Sequence, residues 1–304
     1  MTLWEQLSHD SAWVQPEYFL GGFALLATFF GAFFRDRAAN FFAVTASLVF
    51  IAAGVWAFYF WPEKPVEVFS GALVIDGFGS FAKALMGFAS AATLLLGADY
   101  FNKMKDHRFE LTLIVSIAVL GFFIMASANN LIALYIGVEL QSLAAYVLAA
   151  FRRDESRSSE AGLKYFVLGA LSSGVLLYGC SLVYGFTGSI DFTTIAKLQA
   201  GGSSEQVGII FGLVFVICGL AFKMSAAPFH MWTPDVYEGA PTPITALFSA
   251  APKVAAIVLM ARVLYGPFAA FEHSWVQVIA ALSAISLLVG SFAALVQTNI
   301  KRLM

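Results

Sequence analysis

The chain has 304 residues, of which 60% are hydrophobic and 12% are charged, with a formal net charge of −2 and a mean hydropathy of +0.81. So few polar residues cannot cover the surface of a water-soluble globule of this length. With no basic stripe of interleaved aromatic residues, the sequence gives no indication of a nucleic-acid partner. The composition therefore predicts a polytopic membrane protein.

Nine apolar segments, each long enough to cross about 30 Å of hydrocarbon as an α-helix, follow one another along the chain. Barrel strands would be about ten residues long with alternating polarity. That pattern is absent from the sequence, so we predict an all-α membrane helix bundle. The predicted spans are residues 17–34, 40–61, 77–98, 110–128, 131–151, 161–186, 207–227, 243–265 and 275–296.

The basic residues predict how these spans are oriented. The first 16 residues lack a basic stretch and a small-residue cleavage site, so we expect no removable signal peptide. Cytoplasmic connections collect Lys and Arg, and an N-terminus outside the cell gives ten basic residues inside and three outside. The ten are Arg35, Arg37, Lys103, Lys105, Arg108, Arg152, Arg153, Arg157, Lys301 and Arg302, and the three are Lys64, Lys197 and Arg262.

The sequence carries no pattern typical of redox or hydrolytic chemistry. Cys180 and Cys218 each lie alone in an apolar segment, without the spacing that holds zinc, haem or an iron–sulfur cluster. Residues 77–82, GFGSFA, superficially fit a dinucleotide fingerprint, but they open a membrane span instead of following a strand. We expect no metal and no bound cofactor in this chain.

Ionisable residues at membrane depth are the strongest functional signal. A charge near the bilayer centre costs about 2.5–3.5 kcal/mol on insertion scales, so such residues are functional candidates. Glu139, the only acidic residue well inside a predicted span, and Lys253 lie eight and ten residues into their spans. At 1.5 Å per residue both are near the middle of the membrane. Glu139 is predicted to relay protons, the alternative being a protonated carboxyl hydrogen-bonded to a neighbouring helix.

Lys223 lies five residues before Pro228, which cannot donate a hydrogen bond to the carbonyl of Met224 and should break the helix. In transporters, interrupted helices mark ion sites. We expect freed carbonyls and water beside the Lys223 ammonium, the alternative being a kink with a snorkelling lysine. Lys164, near the start of its span, is equally open to a relay role and to snorkelling. For Lys83, a structural role is favoured.

Three stretches carry a resemblance to a known family. They read FKMSAAPFHMWTPDVYEGAPTPITALFSAAPK, SANNLIALYIGVELQSLAAYVLAAF and GLKYFVLGALSSGVLLYG. They resemble the N-subunit family of the membrane arm of bacterial proton-pumping NADH:quinone oxidoreductase, respiratory complex I. The match extends across most of residues 110–304, with weaker similarity before them. VYEGAPTP followed by Lys253 distinguishes this family from its sister antiporter-like subunits, which have histidine at that position.

The resemblance implies 14 transmembrane helices in two inverted five-helix repeats, each with a broken helix, and a periplasmic N-terminus. It divides this chain into an N-terminal three-helix segment (1–109), a first repeat (110–266) and an incomplete second repeat (267–304). The chain is therefore expected to be truncated after its ninth transmembrane helix. The implied proton-relay residues are Glu139, Lys164, Lys223 and Lys253, and the implied structural residues are Pro228 at the helix break, His230, Tyr237 and Glu238.

The function implied by the resemblance is proton relay through these buried residues, coupled to quinone reduction in other subunits of a translocase in the bacterial inner membrane. NADH, FMN, iron–sulfur clusters and quinone are then expected in other subunits. The expected partners are other membrane-arm subunits, the phospholipid bilayer and protons, with no nucleic acid. A stand-alone cation/proton antiporter and a purely structural membrane-arm subunit remain alternatives.

We hypothesise a mechanism for the relay from the same residues. Glu139 and Lys223 form a carboxylate–ammonium pair whose separation changes with the state of neighbouring subunits. When the pair separates, Lys223 passes its proton toward Lys253 through water near the break at Pro228. An opposite charge at 4–6 Å changes proton binding by about 1.4–4 kcal/mol, which is comparable to about 2.3 kcal/mol per 100 mV for moving a charge across the membrane.

Overall fold

The computed structural model describes residues 3–104, 108–200 and 206–304. Within these ranges nine helices are long and apolar enough to cross a membrane, which confirms the predicted all-α bundle. The helices are α1 (Leu3–Trp13), α2 (Gln15–Phe34), α3 (Ala39–Tyr59), α4 (Gly77–Met104), α5 (Phe109–Ser127), α6 (Leu131–Ala149), α7 (Ser156–Thr187), α8 (Phe192–Ala200), α9 (Gln206–Met224), α10 (Thr233–Gly239), α11 (Thr242–Tyr265), α12 (Glu272–Val296) and α13 (Ile300–Leu303). The nine spanning helices are α2–α7, α9, α11 and α12. Lys105, predicted to lie on an inside connection, falls outside the described residues.

A short antiparallel hairpin joins α3 to α4, where the sequence predicted only a connection. Its strands are β1 (Val66–Val68) and β2 (Leu73–Ile75), with Val66 opposite Ile75. Val68 and Ile75 form a small apolar cluster with Val14, which follows α1. Strands of three residues are too short to produce a recognisable alternation in sequence. The hairpin marks one end of the bundle.

Close helix crossings depend on glycine, as Gly179 and Gly87 illustrate. A Cβ at Gly179 on α7 would lie 2.8 Å from the Val216 backbone nitrogen on α9, and a Cβ at Gly87 on α4 would lie 2.6 Å from the Phe50 carbonyl oxygen on α3. Without a hydrophobic effect between helices in lipid, such close packing supplies much of their association. The α7–α9 and α3–α4 pairs therefore approach each other backbone to backbone.

The seventh spanning helix, α9, ends at Met224, three residues earlier than the predicted span of 207–227. Ser225 adopts a left-handed conformation with φ of 60°, so the helix cannot continue through it. The Ala226 N–H still donates to the Ala221 carbonyl at 2.9 Å. Turns then lead to the short helix α10. The predicted broken seventh helix is confirmed, and its last turn carries Lys223.

A buried ion pair joins α2 to α4. Lys83 Nζ lies 2.5 Å from Glu17 Oε1, and the two side chains are only 2% and 6% exposed. Glu17 is near the start of its span. From the sequence alone, a carboxylate at that position is expected to face the lipid headgroups. The structure instead packs it against α4, so Glu139 is not the only enclosed acidic residue of the bundle.

Removing one member of this pair is expected to cost more than removing both. Lys83→Met leaves Glu17 enclosed without a counter-ion and should lower the free energy of unfolding by about 3–5 kcal/mol. The double variant Glu17→Met/Lys83→Met should recover most of that loss, because two apolar side chains replace two desolvated charges. Unfolding by denaturant in detergent micelles measures both.

Lys64→Met is the control, since Lys64 is exposed on the connection before the hairpin and its loss should change stability by less than about 0.5 kcal/mol. Equal stability of Lys83→Met and the double variant would contradict the assignment of a coupled pair.

Candidate functional site

Lys223 is enclosed in the last turn of α9 and is held by two hydroxyl groups of α6. Its Nζ donates to Ser142 Oγ at 2.7 Å and to Tyr146 Oη at 3.4 Å. The residue is only 5% exposed. Since Ser142 and Tyr146 are four residues apart, they lie on the same face of α6. The ammonium therefore has neutral acceptors in this structure.

Glu139 lies three residues before Ser142 and so on the same face of α6, but it does not pair with Lys223. No described ion pair of 4.0 Å or less joins its carboxylate to Nζ of Lys223. Glu139 Oε1 is enclosed and has no hydrogen-bond partner within the described ranges. The hypothesised pair is therefore separated here, and the hydroxyls of Ser142 and Tyr146 contact the ammonium instead.

Lys253, on α11, contacts the broken end of α9. Its Nζ donates to the Met224 carbonyl at 3.0 Å and to Ser225 Oγ by a short hydrogen bond. Thr233 Oγ1 donates to the same Ser225 Oγ at 2.7 Å. The prediction that the carbonyl freed by Pro228 would lie beside Lys223 is wrong for that lysine. As predicted, the Met224 carbonyl has no donor from its own helix. Its donor is the ammonium of Lys253, on the next spanning helix, and not that of Lys223.

An aromatic stack lies against both lysines. Trp232 stacks on Tyr165 with centroids 4.3 Å apart and on Phe222 with centroids 5.4 Å apart, and its Nε1 donates to the Phe222 carbonyl at 3.1 Å. Lys253 Nζ is 5.4 Å from the Trp232 ring, and Lys223 Nζ is 5.7 Å from the Phe222 ring. Aromatic faces at this range attract a cation. The stack fixes the chain after the helix break against α7 and α9.

A cavity of about 340 Å³ reaches Lys253. That volume holds several water molecules. Its polar lining includes Ser225, His230, Thr233, Lys253, Gln297 and Arg302. His230 Nδ1 is enclosed without a hydrogen-bond partner among the described residues, and water in the cavity would supply one. Lys253 thus faces a space that can be hydrated.

Lys164 is not part of the buried group. Its side chain is 42% exposed and pairs with Glu160 Oε1 at 2.8 Å and with Asp235 Oδ2 at 2.7 Å. Arg302 binds Asp235 Oδ1 at 2.8 Å and also pairs with Glu238. The hydrogen bond from Lys164 lowers the pKa of Asp235 below its usual 3.8, with further contributions from the charges of Lys164 and Arg302. Lys164 is therefore joined to α10, not to Lys223.

The residues predicted to be structural surround the break. Pro228 is exposed in the turn after α9. Tyr237 is 2% exposed, its carbonyl accepts from Thr245 Oγ1 at 2.8 Å, and burial raises the pKa of its phenol. Glu238 belongs to the ionic group with Arg302. The roles given to these residues and to the four relay candidates stay predictions.

Sequence reasoning missed the polar neighbours of the two lysines. Ser142 and Tyr146 could have been found, since they lie three and seven residues after Glu139 and so share its helix face. Ser225, Thr233 and Asp235 had no such signal, because their positions depend on turns after the break. In the described part of the chain, no group of three or more His, Cys, Asp or Glu side chains could hold a metal ion.

These features define a class of protein: a multi-pass membrane protein with a broken helix, a buried lysine at the break and a second lysine bound to the broken end. The family model described as NADH:quinone oxidoreductase/Mrp antiporter, transmembrane, matches residues 128–304. The chain belongs to this family.

Individual proteins agree with that membership. The chain is 51% identical over 290 residues to NADH-quinone oxidoreductase subunit N of Parvibaculum lavamentivorans, which covers 95% of this chain and 59% of the relative. A chain of respiratory complex I from Thermus thermophilus superposes with a TM-score of 0.78 at 32% identity, covering 95% of this chain and 60% of that one. A chain of the Mrp complex from Dietzia sp. shares the fold, with a TM-score of 0.82 at 18% identity, covering 96% of this chain and 56% of that one. The chain thus spans about 60% of the length of these proteins.

The ion pair between Lys164 and Asp235 is expected to hold α10 weakly. Asp235→Asn should accelerate hydrogen exchange at the α10 amides by up to about fivefold at neutral pH, because an ion pair exposed to solvent stabilises local structure only weakly. A carboxyl with a lowered folded-state pKa stabilises the fold above its unfolded pKa and loses that effect as pH falls. The difference between variant and wild type should therefore begin to decline as pH falls below 3.8 and disappear once the pH is below the lowered pKa of folded Asp235.

Asp154→Asn is the matched control, since Asp154 is an exposed carboxylate on the connection between α6 and α7. Faster exchange in the control than in Asp235→Asn, or a difference that persists in acid, would contradict the role given to this pair.

Proposed function

We propose that this chain forms most of a membrane subunit of a proton-translocating NADH:quinone oxidoreductase, and that it relays protons through buried side chains. The observation that carries the proposal is Lys223, an ammonium 5% exposed at a helix break, contacted by two hydroxyls and by no carboxylate in the described structure. A lysine enclosed in this way is costly to keep charged. The names of the subunit N relative and of the complex I structure support the same function.

The setting of this activity is part of the proposal. The subunit lies in the bacterial inner membrane with a periplasmic N-terminus, and its partners are other membrane-arm subunits, the lipid bilayer and protons. The complex belongs to the translocase class, and NADH, FMN, iron–sulfur clusters and quinone bind to other subunits. The division at residues 109/110 and 266/267 into a three-helix segment and two repeats is part of the same proposal.

The geometry supplies a physical basis for proton release and uptake. When the Lys223 ammonium lies against neutral hydroxyls, no directly paired carboxylate offsets the desolvation of its positive form, so its proton is easier to release than from a close ion pair. When it lies against the Glu139 carboxylate, the charged form is favoured. The difference of about 1.4–4 kcal/mol between these states matches the ~2.3 kcal/mol per 100 mV required to move a charge across the membrane.

Lys253 is the next group that can accept a proton. As an ammonium it donates to the Met224 carbonyl and the Ser225 hydroxyl, so it must first release a proton to water in the adjoining cavity, and the neutral amine can then accept the proton that leaves Lys223. Among the described residues, no chain of side-chain hydrogen bonds joins Lys223 to Lys253. Transfer between them therefore requires water or movement of a side chain. Lys164 is exposed and paired with Asp235 of α10, so it takes no part in the transfer from Lys223 to Lys253.

Loss of the Lys223 amine is expected to uncouple pumping. In the assembled complex with the full-length subunit, Lys223→Ala should lower NADH-linked proton translocation on the order of tenfold or more, because a positioned acid–base group is removed. Protons moved per electron pair are measured with a pH-sensitive dye in proteoliposomes. Lys197→Ala, which removes an exposed lysine of α8, should pump normally.

Three outcomes separate the competing functions. An unchanged number of protons per electron pair in Lys223→Ala would refute the relay. Defective assembly with normal pumping in the complexes that do form would indicate a structural subunit. Sodium or proton exchange by the subunit alone, without redox subunits, would indicate an antiporter.

A further inference from the structure

Ser142 is placed so that its hydroxyl can act only as an acceptor toward Lys223. It is fully enclosed on α6, and its Oγ donates its single proton to the Val138 carbonyl at 2.5 Å. The oxygen accepts from Lys223 Nζ at 2.7 Å and from Gln141 Nε2 at 2.8 Å. A serine hydroxyl has one donor and two acceptor positions, so all three are used. The hydroxyl has no proton left to donate to the Glu139 carboxylate.

A second acceptor supports the same position of the ammonium. Tyr146 Oη lies 3.4 Å from Lys223 Nζ, and the Tyr146 ring centroid is 5.7 Å away. Space for this hydroxyl depends on Gly169 of α7, where a Cβ would lie 2.1 Å from it. The fold therefore reserves a place beside Lys223 for a neutral oxygen, at the position one turn beyond Ser142.

Glu139 is the competing acceptor on the same helix face. It precedes Ser142 by one turn, its Oε1 is enclosed and has no partner in the described ranges, and no described ion pair joins it to Lys223. A carboxylate is a stronger acceptor for an ammonium than a hydroxyl. Some contact must therefore keep the ammonium from moving to it, and the shortest hydrogen bond of Lys223 is the one to Ser142.

We propose that Ser142 is a positioning residue that retains the Lys223 ammonium away from Glu139 and thereby sets which acceptor Lys223 faces. This inference rests on the proposed function, because it concerns the same relay. Ser142 does not carry the proton. It determines the population of the separated arrangement, from which Lys223 releases its proton.

Replacing the hydroxyl tests this role. In the assembled complex with the full-length subunit, Ser142→Ala should move Lys223 toward Glu139 and lower turnover coupled to pumping on the order of tenfold, as expected for the loss of a hydrogen bond to a charged group. The KM for quinone should not change, since quinone binds elsewhere. Ser142→Thr keeps a hydroxyl and should recover most of the turnover.

The chain offers a matched control. Ser116 of α5 is also fully enclosed, and its Oγ donates to the carbonyl four residues earlier, that of Thr112, at 2.8 Å. It makes no hydrogen bond to a lysine in the described structure. Ser116→Ala creates the same small cavity as Ser142→Ala without removing an acceptor from Lys223, so its turnover and proton stoichiometry should remain those of the wild type.

The outcomes distinguish this inference from the proposed function. If Lys223→Ala abolishes pumping while Ser142→Ala matches Ser116→Ala, the positioning role is refuted and the relay stands. If Lys223→Ala pumps normally, the relay itself fails. Should Ser142→Ala not assemble, Ser142→Cys replaces it, since a thiol has nearly the same shape but is a weak acceptor. Wild-type pumping in Ser142→Cys, or a structure of that variant with Lys223 still on Tyr146 and away from Glu139, would refute the role.

Discussion

The arrangement of the site depends on the end of α9 at Met224. A helix that stops inside a membrane protein leaves carbonyl groups that must find donors, because lipid supplies none. The Met224 carbonyl takes its donor from Lys253 of α11, and the Phe222 carbonyl takes one from the Trp232 indole. These two bonds draw the following spanning helix and the chain after the break toward the same point. The break therefore specifies which groups surround the lysines.

Both lysines are bound by neutral oxygens, and this distinguishes the site from an ordinary ion pair. The bundle also contains an ordinary one, Glu17 with Lys83, in which an enclosed carboxylate lies 2.5 Å from the ammonium. A close opposite charge offsets part of the cost of enclosing an ammonium, which suits a fixed contact between helices. Lys223 and Lys253 instead contact hydroxyl and carbonyl oxygens, which carry no formal charge. The same chain thus uses buried lysine in two chemically different ways.

The sequence was sufficient to predict the spans, because hydrocarbon thickness imposes a length that apolar segments must satisfy. It was also sufficient to predict the break, because Pro228 lacks an N–H. It could not show which ammonium would bind the freed Met224 carbonyl, since that depends on the rotation of α11 against α9. Glu17 was missed for a related reason: depth along a helix can be counted in sequence, but enclosure by a neighbouring helix cannot. Ser142 and Tyr146 follow from helical periodicity once Glu139 is chosen.

Hydration distinguishes the two lysines, and this bears on the order of events. The cavity that reaches Lys253 is lined by Ser225, His230 and Arg302 but not by Lys223. Lys223 is enclosed by α6 and by the aromatic residues that stack with Trp232. In the proposed relay, a proton would leave Lys253 through water in this cavity, whereas one leaving Lys223 would require a change in its surroundings. If distant subunits control the relay, Lys223 is the simplest point of control. One face of α6 already offers its ammonium two alternative acceptors, the hydroxyl of Ser142 and the carboxylate of Glu139.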